Sequence, residues 1–396
     1  MGEGEKVRLL HLFSDWKWTG PSEAVVDLCK HLQASGHQVL LIHPPPPPWA
    51  NSSIREEAKR RGVKTKEDFS LLPISKAHHI WRAGRVIREA KGIARLLDEE
   101  GMKVLHTHSF HDHIVGVLAK KFSSSSPILV RTDHRVGPHP LYRWIRWPLL
   151  RNTDGVITFS QGAREGWQRA GGFLSEKVIR VDPSIDLERF DPHRRYRDIR
   201  PLFGIPQEAP LIGIVARFQR HRNTQVLLRA FSLLIERAPH ARLLLVGRGT
   251  HIEETVIRPI RELGIEGKAI LAGYRKEDYV DTLASLDIFV LISPGSDGTA
   301  RALREAMAMG KPAVITQRGM LPELAEGCAL VVREDPEEMS RALLTLIEDR
   351  ALREEMGRRA YRRSRERFRW EDQVKRVITF YEHLLEDEDR DRKDRS

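Results

Sequence analysis

Two carboxylates, Asp297 and Glu305, stand eight residues apart in the segment Ser293–Gly310 (SPGSDGTARALREAMAMG). On a straight helix that separation is a little over two turns, so both can face one side. Carboxylates placed in this way can accept hydrogen bonds from sugar hydroxyls. The segment follows an apolar run, Ile288–Ile292, and its Ser/Pro/Gly loop leads into a helix starting near Gly298 or Thr299. Free N–H groups at a helix start favour a phosphate, and ligands of parallel α/β sheets bind beyond the carboxyl ends of strands. Arg217 and Arg222 follow another apolar run, Leu211–Val215. A third cluster is rich in histidine: His106, His108, His111 and His113, with Asp112. Such a cluster could hold a metal ion, line a sugar site, or be structural. His134 and Arg135 follow the next apolar run, Ile128–Thr132.

The elements that must position these groups alternate between strand and helix. Val7–Phe13 reads as a buried strand, Ala24–Ser35 as an amphipathic helix closed by Gly36, and Gln38–His43 as a strand. Pro44–Pro48 forces an extended loop. A long helix over 76–99 precedes strands at Val104–His106, Ile128–Thr132, Gly155–Phe159 and Val178–Val181. After the polar stretch Asp191–Pro210 the pattern restarts. Strands are expected at Leu211–Val215, Arg242–Val246, Ala269–Leu271, Ile288–Ile292 and Ala313–Thr316, with a helix from Thr224 to Ala238. Helices close the chain at Pro336–Glu348, Arg350–Arg365 and Trp370–Glu386. This alternation predicts two mostly parallel sheets covered on both faces.

Glu305-Ala-Met-Ala-Met-Gly-Lys-Pro, preceded by Asp297-Gly-Thr-Ala, resembles the E-x7-E segment of retaining glycosyltransferases of family 4, which have the GT-B fold. The usual form is Glu-Gly-Phe-Gly, four residues, then Glu-Ala-Met-Ala. Ala216-Arg217-Phe218, Arg222-Asn223 and Leu227-Leu228-Arg229-Ala230-Phe231 resemble that family's Gly-Arg-Leu…Lys-Gly…Leu-Leu-x-Ala-Phe. Gly247-Arg-Gly249 resembles its Gly-x-Gly turn, Pro322-Glu323 its base-facing loop, and Gly20 with Glu23 its first Gly-Gly-x-Glu loop. The resemblance implies an α/β GT-B architecture: two Rossmann-like, doubly wound domains facing a cleft. Glu305 would bind the donor ribose. Asp297 would meet the donor sugar, with the loop amides of Gly298, Thr299 and Ala300 beside it. Arg217 and Arg222 would neutralise the diphosphate, Gly20 and Gly247 would approach the donor, His108 would face the transferred sugar, and His134 and Arg135, after a segment that resembles the family's next cleft strand, would contact acceptor or phosphate. Departures fall at Asp297 for Glu, Thr299 for Phe, Ala300 for Gly, Arg222 for Lys and Asn223 for Gly. The histidine spacing is close to His-x-His-x-Asp-His of metallo-hydrolases, but Phe110 stands at the Asp position.

The expected domains are 1–195 for the acceptor, 196–366 for the nucleotide sugar, a crossing helix at 367–386, and a disordered charged tail at 387–396. The formal charge of +11 suits anionic ligands, but no nucleic-acid motif is present. Two distant cysteines, Cys29 and Cys328, exclude a disulfide framework and fit a reducing cytoplasm. No apolar run reaches the ~18 residues of a membrane span. Leu141–Arg151 (LYRWIRWPLLR) reads either as a surface anchor for a lipid-linked acceptor or as a helix packing its Trp and Leu residues inward. The expected protein is a cytoplasmic enzyme, peripheral at most on the inner membrane face. It takes a UDP-, GDP- or ADP-sugar as substrate, uses a saccharide or lipid-linked saccharide acceptor, and needs no essential cofactor or metal. Cell-envelope polysaccharide or lipopolysaccharide synthesis is the expected setting. A catalytically degenerate binding subunit and a sugar-nucleotide epimerase of the same fold are the rival readings.

Overall fold

The computed structural model describes residues 6–50, 52–71, 80–134, 149, 151–171, 175–293 and 300–395. The chain divides into two compact units, residues 1–183 with 370–396, and residues 184–369.

The first unit is built on seven parallel strands: β1 (Arg8–Leu12), β2 (Gln38–Ile42), β3 (Thr65–Lys66), β4 (Val104–Thr107), β5 (Ile128–Asp133), β6 (Gly155–Thr158) and β7 (Val178–Arg180). Their order is β3-β2-β1-β4-β5-β6-β7. Every residue of β4, β5 and β6 is buried, as expected for strands covered on both faces. Adjacent residues point to opposite faces. Leu9 packs in one cluster with Val26, Cys29 and Val130, and Leu10 in another with Ile93, Leu97 and Trp167. The covering helices are α1 (Gly20–Ala34), α2 (Ile54–Arg60), α3 (Ile80–Glu99), α4 (Phe110–Phe122) and α5 (Gln161–Gly171).

The second unit has six parallel strands: β8 (Leu211–Arg217), β9 (Arg242–Arg248), β10 (Ala269–Gly273), β11 (Ile288–Leu291), β12 (Ala313–Thr316) and β13 (Ala329–Val332). Their order is β10-β9-β8-β11-β12-β13. The helices are α6 (Thr224–Arg237), α7 (Arg258–Glu262), α8 (Tyr279–Ala284), α9 (Arg301–Ala308), α10 (Leu321–Leu324), α11 (Pro336–Glu348) and α12 (Arg350–Arg367). In each sheet the winding direction reverses once, beside β1 and β4 in the first and beside β8 and β11 in the second. A crevice opens at such a reversal because the flanking connections leave to opposite faces. Of the catalytic candidates, His108 follows β4, Arg217 ends β8 and Arg222 lies in the turn after it, while Asp297 lies outside the described residues.

The chain enters the second unit at Ser184 rather than at the expected boundary of 195. The polar stretch before β8 is packed, not free. Ile199 N–H donates to Ser285 Oγ at 3.1 Å, and buried Arg200 pairs with Asp287 at 2.9 Å. The last helix, α13 (Trp370–Arg395), belongs to the first unit. Its Trp370, Val374, Val377, Phe380, Tyr381 and Leu384 complete the cluster containing Leu9. The expected disordered tail is instead helical to Arg395. Pairs one turn apart, His383–Asp387 at 3.3 Å and Glu386–Arg390 at 3.4 Å, stabilise that extension on a solvated face. Among the described residues, no helix is long and apolar enough to cross a membrane. Of Leu141–Arg151, only Leu149 and Arg151 are described.

Gly155 in β6 shows how closely α13 is seated. A Cβ there would lie 2.6 Å from both Phe380 Cζ and Leu384 Cδ1. Gly155→Ala is therefore expected to destabilise the protein by about 1–3 kcal/mol, read as a lower urea midpoint at unchanged m-value.

Candidate functional site

In the second unit, the rim of the sheet at β8 and β11 carries a group of arginines. Arg217, the last residue of β8, is exposed, and its side chain makes no hydrogen bond or ion pair among the described residues. Arg222 lies in the turn that follows. It is buried, and its Nη1 donates to Ser293 O, just past β11, at 3.1 Å. Arg318 reaches the same place and donates to Ser293 Oγ at 3.2 Å and His221 O at 3.1 Å. Two guanidinium groups, those of Arg222 and Arg318, thus meet at Ser293, while Arg217 stands at the end of the paired strand β8. Asp297, Gly298 and Thr299 lie outside the described residues.

Glu305 sits in the second turn of α9 and is 2% exposed. Its Oε1 accepts from Arg301 Nε at 2.6 Å, and its Oε2 accepts from the Tyr279 hydroxyl. Burial and the adjacent Glu305 hold the Tyr279 pKa well above its usual value, so that hydroxyl stays a donor. A carboxylate has about four acceptor positions. Glu305 is held rigidly by two donors while each oxygen keeps capacity for a sugar hydroxyl.

Three backbone positions account for residue types that depart from or match the family pattern. Asn223 adopts φ +52, and Asn is among the few residues with a side chain that tolerate the left-handed region. Its Nδ2 also donates to Glu334 at 2.6 Å. Ala300, the N-cap of α9, adopts φ +32, where glycine is favoured. Gly247 is required by packing, because a Cβ there would meet Ala216 O at 1.9 Å. Gly20 differs, since a Cβ there would meet nothing within 4 Å. The fold itself makes no demand for glycine at that helix start.

In the first unit the corresponding rim is histidine-rich. β1 and β4 pair so that His11 lies beside His106. His11 Nδ1 and His108 Nε2 share a hydrogen bond of 3.0 Å. His106 is bonded at both nitrogens, to Thr132 Oγ1 at 2.7 Å and to the Tyr381 hydroxyl at 2.6 Å. His134, just past β5, lies 6.2 Å from the His108 ring. Arg135 lies outside the described residues. Burial keeps these rings neutral, pushing His11 down to about 3 and His134 to about 4, the latter helped by Arg131. His106 and His108 are lowered for the same reason, and their neighbouring imidazoles add to the effect.

The structure does not gather the four histidines of 106–113 into one group. His111 and His113 belong to α4, and His113 is spent on Thr107 at 2.9 Å and Thr153 at 3.0 Å. Instead His11, His106 and His108 have ring nitrogens within 4.8 Å of one another. Those nitrogens are engaged with each other, Thr132 and Tyr381, which is a network of neutral hydrogen bonds. Among the described residues, four others, His11 Nε2, His108 Nδ1 and both of His134, are buried with no hydrogen-bond partner. Sequence reasoning missed His11, Tyr279, Arg301, Arg318 and Tyr381. Only Arg301 had a local signal, its spacing of four residues from Glu305.

The two sheets, each reversing its winding once, with basic and carboxylate groups at the second reversal, define a GT-B glycosyltransferase. The chain belongs to glycosyltransferase family 4. A "Glycosyltransferase Family 4" model matches residues 18–189, and a "Glycosyl transferases group 1" model matches residues 209–349. The N-acetyl-alpha-D-glucosaminyl L-malate synthase of Bacillus anthracis is 27% identical over 317 residues, 76% of this chain and 79% of that protein. The D-inositol 3-phosphate glycosyltransferase of Corynebacterium jeikeium is 34% identical over 249 residues, 60% of this chain; the match spans 57% of that relative. A glycosyltransferase from Rickettsia africae superposes with TM-score 0.80 at 17% identity, covering 96% of this chain and 99% of that one. Anabaena HepE, solved with UDP and glucose, superposes with TM-score 0.74 at 18% identity, covering 96% and 98%.

Two outcomes are expected. Ala300→Gly should raise stability by about 1 kcal/mol by relieving the left-handed backbone, read as a higher melting temperature. The histidine core should make the protein acid-sensitive. Above the ordinary histidine value of 6.5 these rings are neutral in both states. As the pH falls, the unfolded chain takes up protons that folded His11 and His134 refuse until about 3 and about 4, so stability declines across that interval. Buried Asp112 works the other way. Its carboxyl is pushed up to about 7, so its contribution is complete below 3.8 and is lost as the pH rises through about 7. His11, His106, His108, His113 and His134 outnumber it. The melting temperature should therefore be lower at about pH 5 than at about pH 7.5.

Proposed function

We propose that the chain is a retaining glycosyltransferase that moves a sugar from a UDP-, GDP- or ADP-sugar to a hydroxyl of a saccharide or lipid-linked saccharide acceptor. The observation that carries this reading is Glu305, a buried carboxylate fixed by Arg301 and Tyr279, on the same strand-end rim as Arg217, Arg222 and Arg318. In this reading Glu305 accepts hydrogen bonds from the ribose hydroxyls, and Arg217 and Arg222 face the diphosphate. Asp297 and the amides of Gly298, Thr299 and Ala300 approach the donor sugar. The exposed Arg217 supplies a cation without first breaking an internal pair, which suits a group that must stabilise charge as it develops.

Transfer follows from that arrangement. The bond between the anomeric carbon and the phosphate oxygen breaks, and the electron pair leaves with the nucleoside diphosphate. The acceptor oxygen bonds to the anomeric carbon on the same face, and its proton passes to the departing phosphate. Arg217 and Arg222 lower the barrier by stabilising the leaving charge. On the first unit, His108 and His134 offer buried nitrogens of neutral rings that have no hydrogen-bond partner among the described residues. A neutral imidazole has one donor and one acceptor nitrogen, which matches hydroxyl groups better than it matches ions. These rings and Arg135 are the acceptor and sugar contacts in this reading, and Gly20 allows close approach at the start of α1. No metal or cofactor takes part. The basic charge of +11 supports work on anionic or membrane-bound cell-envelope acceptors, in polysaccharide or lipopolysaccharide synthesis at the inner membrane face.

Glu305→Ala should weaken binding of the cognate nucleotide roughly 10- to 100-fold, the worth of hydrogen bonds to a charged group. Arg217→Ala should lower kcat about 100-fold or more with a smaller change in donor KM. Calorimetry with UDP, GDP and ADP, followed by product NMR of the anomeric centre, checks both the site and the stereochemistry. Wild-type protein that binds none of the three nucleotides would sink the reading.

A further inference from the structure

The loops that follow β1 and β2, neighbours in the first sheet, carry two tryptophans that the core does not require. Trp49 is 73% exposed, unusual for the largest side chain. Its ring meets that of Trp16 edge to face, at 5.5 Å between centroids and 87° between planes. The pair is held in place by the backbone. Lys17 and Ser53 form an antiparallel bridge, Ile54 N–H donates to Trp16 O at 3.0 Å, and Ala50 N–H donates to Pro47 O at 3.0 Å. Pro44–Pro48 supply a stiff extended approach with little entropy to lose. Trp18, in the same loop, is accounted for differently. It packs against the core and lies under Arg61, 4.5 Å away, which pairs with Glu23 and Asp27.

We propose that Trp16 and Trp49 form a stacking platform for a neutral pyranose ring of the acceptor saccharide. This rests on the reading of the first unit as the acceptor side, and it names a subsite there. A rigid aromatic surface offers a large contact area at low conformational cost, and it suits the C–H face of a pyranose. The rim supplies what the hydroxyls need. Asp15 is a carboxylate acceptor, and Lys17 places its ammonium 5.6 Å from the Trp16 ring. Their charges cancel, so the patch matches a neutral polyol. An anionic lipid surface calls for an excess of basic residues instead. The platform stands on the carboxyl-end rim of β1 and β2, the same rim that carries His108 beyond β4 and Gly20 at the start of α1.

The test uses the full chain and a panel of methyl pyranosides of glucose, galactose, mannose and N-acetylglucosamine, with the matching disaccharides. Binding is read by tryptophan fluorescence and calorimetry, with myo-inositol as a cyclic polyol that lacks the pyranose ring. The expected result is that at least one glycoside binds, that Trp49→Ala weakens it about tenfold or more, and that Trp49→Phe keeps most of the affinity. UDP, GDP and ADP should bind all variants alike. The proposal is overturned if no glycoside binds the wild type, or if Trp49→Ala binds as well as the wild type. It is also overturned if the loss on substitution appears with phosphatidylglycerol vesicles and not with glycosides. Nucleotide binding reports separately on the donor reading, so the two can fail independently.

Discussion

The parallel pairing of β11 against β8 sets two strand ends side by side that are distant in sequence. Arg222 and Ser293, 71 residues apart, can therefore share a hydrogen bond. The anion-suited rim, the seat of α9 and the approach to Glu305 all depend on that adjacency. β1 and β4 stand in the same relation in the first unit, where the pairing brings His11 beside His106. In each half, candidate residues stand at the strand ends where the sheet reverses its winding, because the flanking connections part there.

A second constraint is the cost of burying polar groups without partners. Glu305 is buried, and the cost is met by Tyr279 and Arg301. His106 is buried and satisfied by Thr132 and Tyr381. Tyr381 comes from the last helix, so the end of the chain helps organise a strand near its start. Among the described residues, His11 Nε2, His108 Nδ1 and both ring nitrogens of His111 and His134 are buried without a hydrogen-bond partner.

Departures from the family pattern separate by backbone conformation. Asn223 keeps a left-handed turn that glycine would otherwise supply, and it adds a bond to Glu334. Ala300 occupies a left-handed position with no such compensation in its own side chain. Glycine is retained at 247 and 249, where a Cβ would strike the carbonyls of Ala216 and Phe218 at 1.9 Å. Substitution was therefore tolerated where the demand was only on φ, and excluded where backbone met backbone.

Alternation of apolar runs and amphipathic helices was legible in the sequence because burial on two faces imposes it residue by residue. The family could be read from short contiguous motifs around Arg217, Gly247 and Glu305. Short elements such as β3 and α2 had too few residues to show a period. The packing of residues 184–210 left no apolar run, because Arg200 is buried through Asp287 rather than through hydrophobic contact. The meeting of the histidines was not legible along the chain: His106 and His113 are neighbours in sequence, whereas strand pairing sets His106 beside His11. The sequence by itself determined the two parallel α/β halves, the family, and Glu305 with Arg217 as candidates. Only the tertiary structure decided which donors hold Glu305, which histidines meet, and which tryptophans stay outside. Those choices depend on contacts between distant segments, which carry no local periodicity.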